Sequence, residues 1–204
     1  MTEPILSRNA SLERSDFAAI AAWVRPGARV LDLGCGDGGL LRYLKETRNA
    51  HGYGVDISDD NILACVRNRV NVLQSDLETG LSSFESDSFD CVILSQTLQA
   101  MRNTERIVAE ILRVGREGIV SFPNFGYWRH RLQVFAGRMP VSETLSYQWY
   151  DTPNVHLCTI KDFEAFCREH GARILERRVL SGGRGVEWLP NLLGELAVFR
   201  FDRG

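Results

Sequence analysis

Lysine is nearly missing from this chain: Lys45 and Lys161 are the only two in 204 residues, and the other 22 basic residues are arginine. Nor is there a basic excess, since 26 acidic against 24 basic side chains leave a net charge of −2. A protein dedicated to nucleic acid neutralises phosphates with Lys and Arg, so no nucleic-acid partner is expected. No run approaches the roughly 18 uninterrupted apolar residues of a spanning helix, and an integral membrane protein is not expected either. Met1 to Ser15 lacks the basic-then-apolar pattern of a secretory leader, which points to the cytoplasm. There is no CxxC among the five cysteines (Cys35, Cys65, Cys91, Cys158, Cys167), and their odd number and wide spacing indicate neither a disulfide framework nor a redox pair. His156-x-Cys158 and Cys167-x-x-His170 hold residue types that zinc accepts, but not at the paired spacings of a structural site. They read as core positions beside an amphipathic helix, and no metal is expected. Internal repeats and low-complexity tracts are also missing.

What is present is the composition of an ordinary globular domain, 44% hydrophobic and 25% charged. Residues 1–14 are polar and unpatterned and read as an N-terminal arm. Residues 15–204 read as one domain. Phe17, Ile20, Ala21 and Val24 recur at helical spacing until Pro26-Gly27 stops them. Arg29–Leu33 is a short apolar strand, and the Leu40, Leu41 and Leu44 positions start a helix. Tyr53–Ile57 is a second strand. Asp59 and Asp60 stand where the next helix needs its N-cap, ahead of Ile62, Leu63 and Val66. A third strand runs from Val70 to Gln74 and a fourth from Phe89 to Ser95. Thr104 is expected to cap a helix carrying Ile107, Val108, Ile111 and Leu112, and Gly118–Phe122 is a fifth strand. Strands alternating with helices through short connections predict a mostly parallel sheet covered on both faces, a doubly wound α/β fold. After Pro123 the rhythm breaks, leaving an insertion at about 124–158. Thr159 then opens another helix, and two last strands lie near Ile174–Leu180 and Glu195–Phe201.

Gly34-x-Gly36-x-x-Gly39 follows a strand and opens a helix, with Asp56 twenty residues beyond Gly36. Such glycines let backbone approach a ligand, and a helix N-terminus offers free N–H groups. The spacing matches the dinucleotide fingerprint. Asp32 argues against that ligand, because a carboxylate at the mouth of a pyrophosphate site repels it. It suits a ligand that brings an ammonium group.

Val30-Leu31-Asp32-Leu33-Gly34-Cys35-Gly36-Asp37-Gly38 resembles the first motif of class I methyltransferases that use S-adenosylmethionine (SAM). That resemblance implies a Rossmann-like sheet whose last strand is antiparallel, in the order 3-2-1-4-5-7-6. It also implies a site for SAM or S-adenosylhomocysteine built from Asp32, Gly34, Cys35 and Gly36. Asp56 then corresponds to the acceptor of the two ribose hydroxyls, and Ile57 to a residue packed on the adenine. Asp76 and Leu77 lie at the adenine edge, and Ser95 at the methionyl pocket. These positions all stand at carboxyl ends of parallel strands, where open α/β sheets bind ligands.

A catalytic residue is not legible. The Asn/Asp-Pro-Pro-aromatic motif of many nitrogen methyltransferases is missing; Ser95-Gln96-Thr97-Leu98-Gln99 stands in its place. His130, His156 and Asp151 are the candidate bases, with nothing to single one out. The informative stretch is Phe125–Tyr150, with seven aromatics in 26 residues against 9% for the whole chain. It reads either as a lid burying its rings on the sheet or as a substrate cap or protein-binding surface, since Trp, Tyr and Arg are enriched in interface hot spots. Ser121-Phe122-Pro123-Asn124-Phe125-Gly126-Tyr127-Trp128-Arg129-His130-Arg131-Leu132, then Arg138-Met139-Pro140 and Tyr147 through Thr159, resemble the bacterial methionine biosynthesis protein MetW family. The likeness runs from about Asp16 to Phe201. It implies a homoserine O-acyltransferase as partner, with self-association left open. Two functions follow: a SAM-binding accessory protein of that acyltransferase, or a true small-molecule methyltransferase.

Overall fold

A computed structural model describes residues 16–204, so the expected arm at 1–14 lies outside the described residues. Helix α1 is described over residues 16–21. The elements that follow are β1 (Arg29–Leu33), α2 (Gly39–Arg48), β2 (His51–Asp56), α3 (Asp59–Arg67), β3 (Val72–Gln74), β4 (Phe89–Ser95), α4 (Thr104–Val114) and β5 (Gly115–Pro123). Helix α5 (Trp128–Phe135) lies in the insertion. Then come α6 (Ile160–Glu169), β6 (Ala172–Ser181), β7 (Arg184–Gly185), α7 (Pro190–Leu193) and β8 (Leu196–Arg203).

The strands form one sheet in the order β3-β2-β1-β4-β5-β8-β6-β7. With the two-residue β7 set aside, this is the expected order, and β8 runs antiparallel to both β5 and β6. The short β7 pairs back on the end of β6 around Gly182-Gly183, a hairpin too brief to leave a periodic pattern in the sequence. Strand β1 is central: Val30, Leu31, Asp32 and Leu33 are all buried, because helices cover both faces.

Alternation along the strands divides the interior. Leu31, Leu33, Val92, Leu94, Val120 and Phe122 point into the core shared with α4 and α6. Val30, Cys91, Ile93 and Ile119 point to the other, shared with α1 and α2. By the same parity Asp32, Ser95 and Ser121 belong to the α1 side. Three polar residues therefore meet under the first helix.

Several boundaries differ from the sequence reading. Asn103, not Thr104, caps α4, because its Oδ1 accepts from the Arg106 N–H at 2.9 Å. Ser58 occupies the N-cap position of α3, so Asp59 and Asp60 fall in its first turn, where their charge favours the helix dipole. Strand β3 starts at Val72 rather than Val70: the Val70 N–H still donates to Cys65 O at the end of α3. Strand β5 begins three residues early, at Gly115. Thr159 opens α6 as expected, in a reciprocal capping box with Asp162.

On the α6 face Phe163 is buried against Phe122, Phe199 and Phe201, with ring centroids 4.8–6.1 Å apart. This cluster joins β5, β8 and α6. Phe163→Ala should cost about 3–5 kcal/mol of stability. Urea denaturation measures it, and an unchanged midpoint would contradict the packing.

Candidate functional site

The chain leaves β1 through a turn that only glycine permits. Gly34 has φ +70°, and an added Cβ would lie 2.6 Å from the Thr97 hydroxyl. Gly36 has φ +55°, yet a Cβ there would meet nothing within 4 Å, so this glycine leaves open space above the turn. The turn borders a cavity of about 570 Å³ at the carboxyl ends of β1 and β4. Asp32, Gly34, Cys35, Gly36 and Ser95 line it together.

Asp56 stands just outside, tied to the turn by its carboxylate. Its Oδ2 accepts from the Gly36 N–H at 2.9 Å, and its Oδ1 from the Ser58 N–H and the Asn61 amide, each at 3.0 Å. Ile57 is 63% exposed. Asp76 is exposed and caps its own turn, accepting from the Glu78 N–H, while Leu77 is half-buried. These residues form an open shelf beyond β2 and β3, adjacent to the cavity rather than within it; the Ser75 N–H donates to Asp56 O across that edge.

Sequence reasoning missed Asp16. It is fully buried on α1, and its Oδ2 accepts from Ser95 Oγ at 2.7 Å and Ser121 Oγ at 2.9 Å. Its Oδ1 is buried without a partner among the described residues. Burial raises the Asp16 pKa, opposed by the bonds from Ser95, Ser121 and Gln96. Burial likewise pushes Asp32 up from the ordinary 3.8 to about 8, with Asp16 and Asp56 adding repulsion. No motif at residue 16 announces this role; only the shared strand parity brings the group under Ser95. Gln96 was also unmarked, although it sits at φ +48°, an uncommon conformation for a residue with a side chain. Beside it the Gln99 Oε1 is buried without a partner among the described residues.

The other candidates fall elsewhere. His130 is fully buried: its Nδ1–H donates to Asn124 O at 3.1 Å, and its Nε2 accepts from Ser142 Oγ at 2.9 Å. Burial lowers its pKa, so it is a structural imidazole with both nitrogens engaged. His156 is exposed, 3.3 Å from Arg102 O, and Asp151 accepts from the Gln148 N–H in an exposed turn. Neither lines the cavity. Cys167 is buried and Cys158 half-buried, with both thiols pushed up to about 12, chiefly by burial. Among the described residues no cluster suited to a metal occurs. Cys35 and Cys65, thirty residues apart, come within 3.8 Å of each other, a proximity the linear spacing concealed. Burial raises both thiols, keeping them protonated and unreactive.

The far wall of the cavity comes from the insertion: Glu143, Thr144, Ser146, Tyr147, Pro153 and Asn154. Most aromatics of this stretch do not bury themselves. Tyr127 is buried, but Phe135, Tyr147, Trp149 and Tyr150 are 50–91% exposed, so the lid reading with its rings on the sheet does not hold.

The family model for "Methionine biosynthesis protein MetW" matches residues 14–201. The chain belongs to the MetW family. It is 35% identical to the bifunctional methionine biosynthesis protein MetXA/MetW of Rhodopirellula baltica, over 92% of this chain and 32% of that protein. It is 31% identical to a ubiquinone biosynthesis O-methyltransferase of Hahella chejuensis, over 48% of this chain and 42% of the other. The chain thus spans less than half the length of these relatives. Among solved structures, a SAM-dependent methyltransferase of Thermotoga maritima matches 97% of this chain and 91% of its own, with a TM-score of 0.71 at 17% identity. The fold is that of class I SAM methyltransferases. Among the described residues no helix is long and apolar enough to cross a membrane.

Asp32 carries a pH signature. The folded state keeps its proton up to about pH 8, whereas the unfolded chain releases it near 3.8. The folded protein therefore binds more protons across that window, and stability falls as pH rises through it. Asp32→Asn should flatten this fall. Denaturant titrations at several pH values without ligand test it, and an unaltered slope would contradict the assignment.

Proposed function

We propose that the chain is a SAM-binding accessory protein of methionine biosynthesis that supports a homoserine O-acyltransferase by direct contact. The observation that carries this reading is the Rhodopirellula relative, in which a MetW part and a MetXA part share one polypeptide. Covalent joining suits two units that act side by side.

The residues present fit SAM. Asp32 lines the cavity, and no hydrogen bond from the described residues accounts for its raised pKa, which comes from burial and like charge. A cationic ligand relieves that condition. Bound SAM supplies an ammonium and a sulfonium, with a methyl group that an acceptor can take. Asp32 would face the ammonium, while Gly36 leaves the space a side chain would fill. Asp56 keeps acceptor capacity on Oδ2, which takes only the Gly36 N–H within the chain, for a ribose hydroxyl. Ile57, Asp76 and Leu77 would form the adenine shelf, with Ser95 at the methionyl end.

The second reading, a methyltransferase acting on a small molecule, is favoured by the fold and by the room between the glycine turn and Tyr147. Against it, His130 is engaged on both nitrogens and neither His156 nor Asp151 lines the cavity. A general base must reach the proton it takes. The accessory reading needs no such group.

Two measurements test the proposal. Homoserine acylation by the purified acyltransferase should rise when the chain is added, with no radiolabelled methyl leaving SAM. Labelling of a metabolite without any effect on acylation would establish the second reading instead. Separately, Asp56→Ala should weaken SAM binding roughly 10- to 150-fold, the loss of a charged acceptor worth about 1.5–3 kcal/mol. Calorimetry showing tight NADH binding and none of SAM would overturn the cofactor.

A further inference from the structure

The segment between Ser142 and His156 has two faces. Its inner face, through Glu143, Thr144, Tyr147 and Asn154, walls the cavity opposite the glycine turn. Its outer face carries Trp149, 72% exposed, which closes a second groove with Met139 and Arg138 at the end of α5.

Both ends of the segment are tied down. Ser142 holds His130 at 2.9 Å, and the N–H groups of Val155 and His156 donate to Gln99 O. Between those anchors, the hydrogen bonds of residues 146–154 among the described residues stay inside the segment: Gln148 with Asp151, and Asn154 with Thr152. A loop fixed at its ends, whose middle bonds only to itself among the described residues, opens at low cost.

The groove has the composition of a protein interface. Trp, Met and Arg are enriched in such surfaces, and large exposed apolar patches on soluble proteins mark contact sites. Met139, 53% exposed, lies in the groove beside Val141. Its charge is basic: Arg138 lines it, no acidic residue does, Arg129 and Arg131 are exposed on the adjoining α5, and no acidic residue occurs from Phe125 to Ser142. A second copy of this chain is a poor occupant. Two-fold pairing sets the same basic patch on both sides and brings like charge against like charge. An acidic-rimmed apolar patch on a different protein fits.

We propose that the homoserine O-acyltransferase docks in the groove of Trp149, Met139 and Arg138, and that the 142–156 segment couples this docking to the filling of the cavity. The inference rests on the accessory reading above. The physical route is ordering: a ligand against Glu143–Tyr147 stiffens the segment that presents Trp149, so the partner binds a surface already in place. The coupling is positive and reciprocal, and each ligand tightens the other by the same factor, of order 5- to 150-fold.

The test uses the full chain and the acyltransferase of the same organism, with binding measured by calorimetry with and without saturating SAM. Trp149→Ala and Met139→Ala should each weaken the complex at least about tenfold, a loss of roughly 1.4 kcal/mol. Melting temperature and SAM affinity of the isolated variants should stay at wild-type values. SAM should tighten the wild-type complex, and the acyltransferase should tighten SAM by an equal factor. Unchanged complex affinity in both variants overturns the docking face. Equal complex affinity with and without SAM, or weakening by SAM, overturns the coupling. A wild-type chain that binds no acyltransferase fails the accessory reading itself and the proposal with it. Sedimentation showing a dimer of this chain that Trp149→Ala dissociates assigns the groove to a second copy and overturns the proposed partner.

Discussion

The winding of the sheet reverses between β1 and β4, and the rest of the molecule is arranged around that reversal. The chain steps outward from β1 through β2 to β3, then returns to place β4 on the opposite side of β1. The connections on either side leave in opposite directions, which opens a crevice above the carboxyl ends of the two central strands. The glycine turn forms one lip of the crevice and Gln96–Gln99 the other. Strand alternation then decides what its floor contains. Asp32, Ser95 and Ser121 share one parity, so a polar floor is laid inside an otherwise apolar layer. Helix α1 brings Asp16 against it.

That floor is charged in one sense only. Asp16 and Asp32 are buried near one another, Asp56 stands close by, and no basic side chain among the described residues bonds to any of the three. Carboxyls in such surroundings keep their protons or take up a cation. Hydroxyls from Ser95 and Ser121 satisfy one oxygen of Asp16, and the other has no partner among the described residues. A floor of this kind tolerates its own charge poorly, which is the chemistry expected where a cationic ligand is received.

The insertion is anchored by a different device. Asn124 is completely buried, and its amide donates to the Asn191 and Gly194 carbonyls while its Oδ1 accepts from the Gly126 and Ile160 N–H groups. One side chain thus fixes the exit from β5, the start of α6 and the short helix α7. His130, donating to the Asn124 carbonyl, extends the anchor to α5 and to Ser142. With its root held so firmly, the insertion can expose aromatics at its tip without loosening the sheet.

Periodicity alone determined the alternating elements and the strand count short of β7, because hydrophobic spacing is a local property of the chain. The strand order came from resemblance, as did the grouping of Asp32, Gly34, Cys35, Gly36 and Ser95 at one site, and the sheet has that order. Helix starts were legible only to within a residue or so, since Asn103 and Thr104, or Ser58 and Asp59, are all acceptable near a helix start and the hydrogen-bond geometry chooses between them. Three things were decided by tertiary structure. Asp16 reaches the floor through contacts 79 and 105 residues away. Cys35 meets Cys65 because α3 crosses beside the glycine turn. The exposure of Trp149 and Phe135, against the burial of Tyr127 and His130, depends on how the insertion folds back on α5. A sequence rich in aromatics is compatible with either outcome, because burial is settled by what the rest of the chain leaves uncovered.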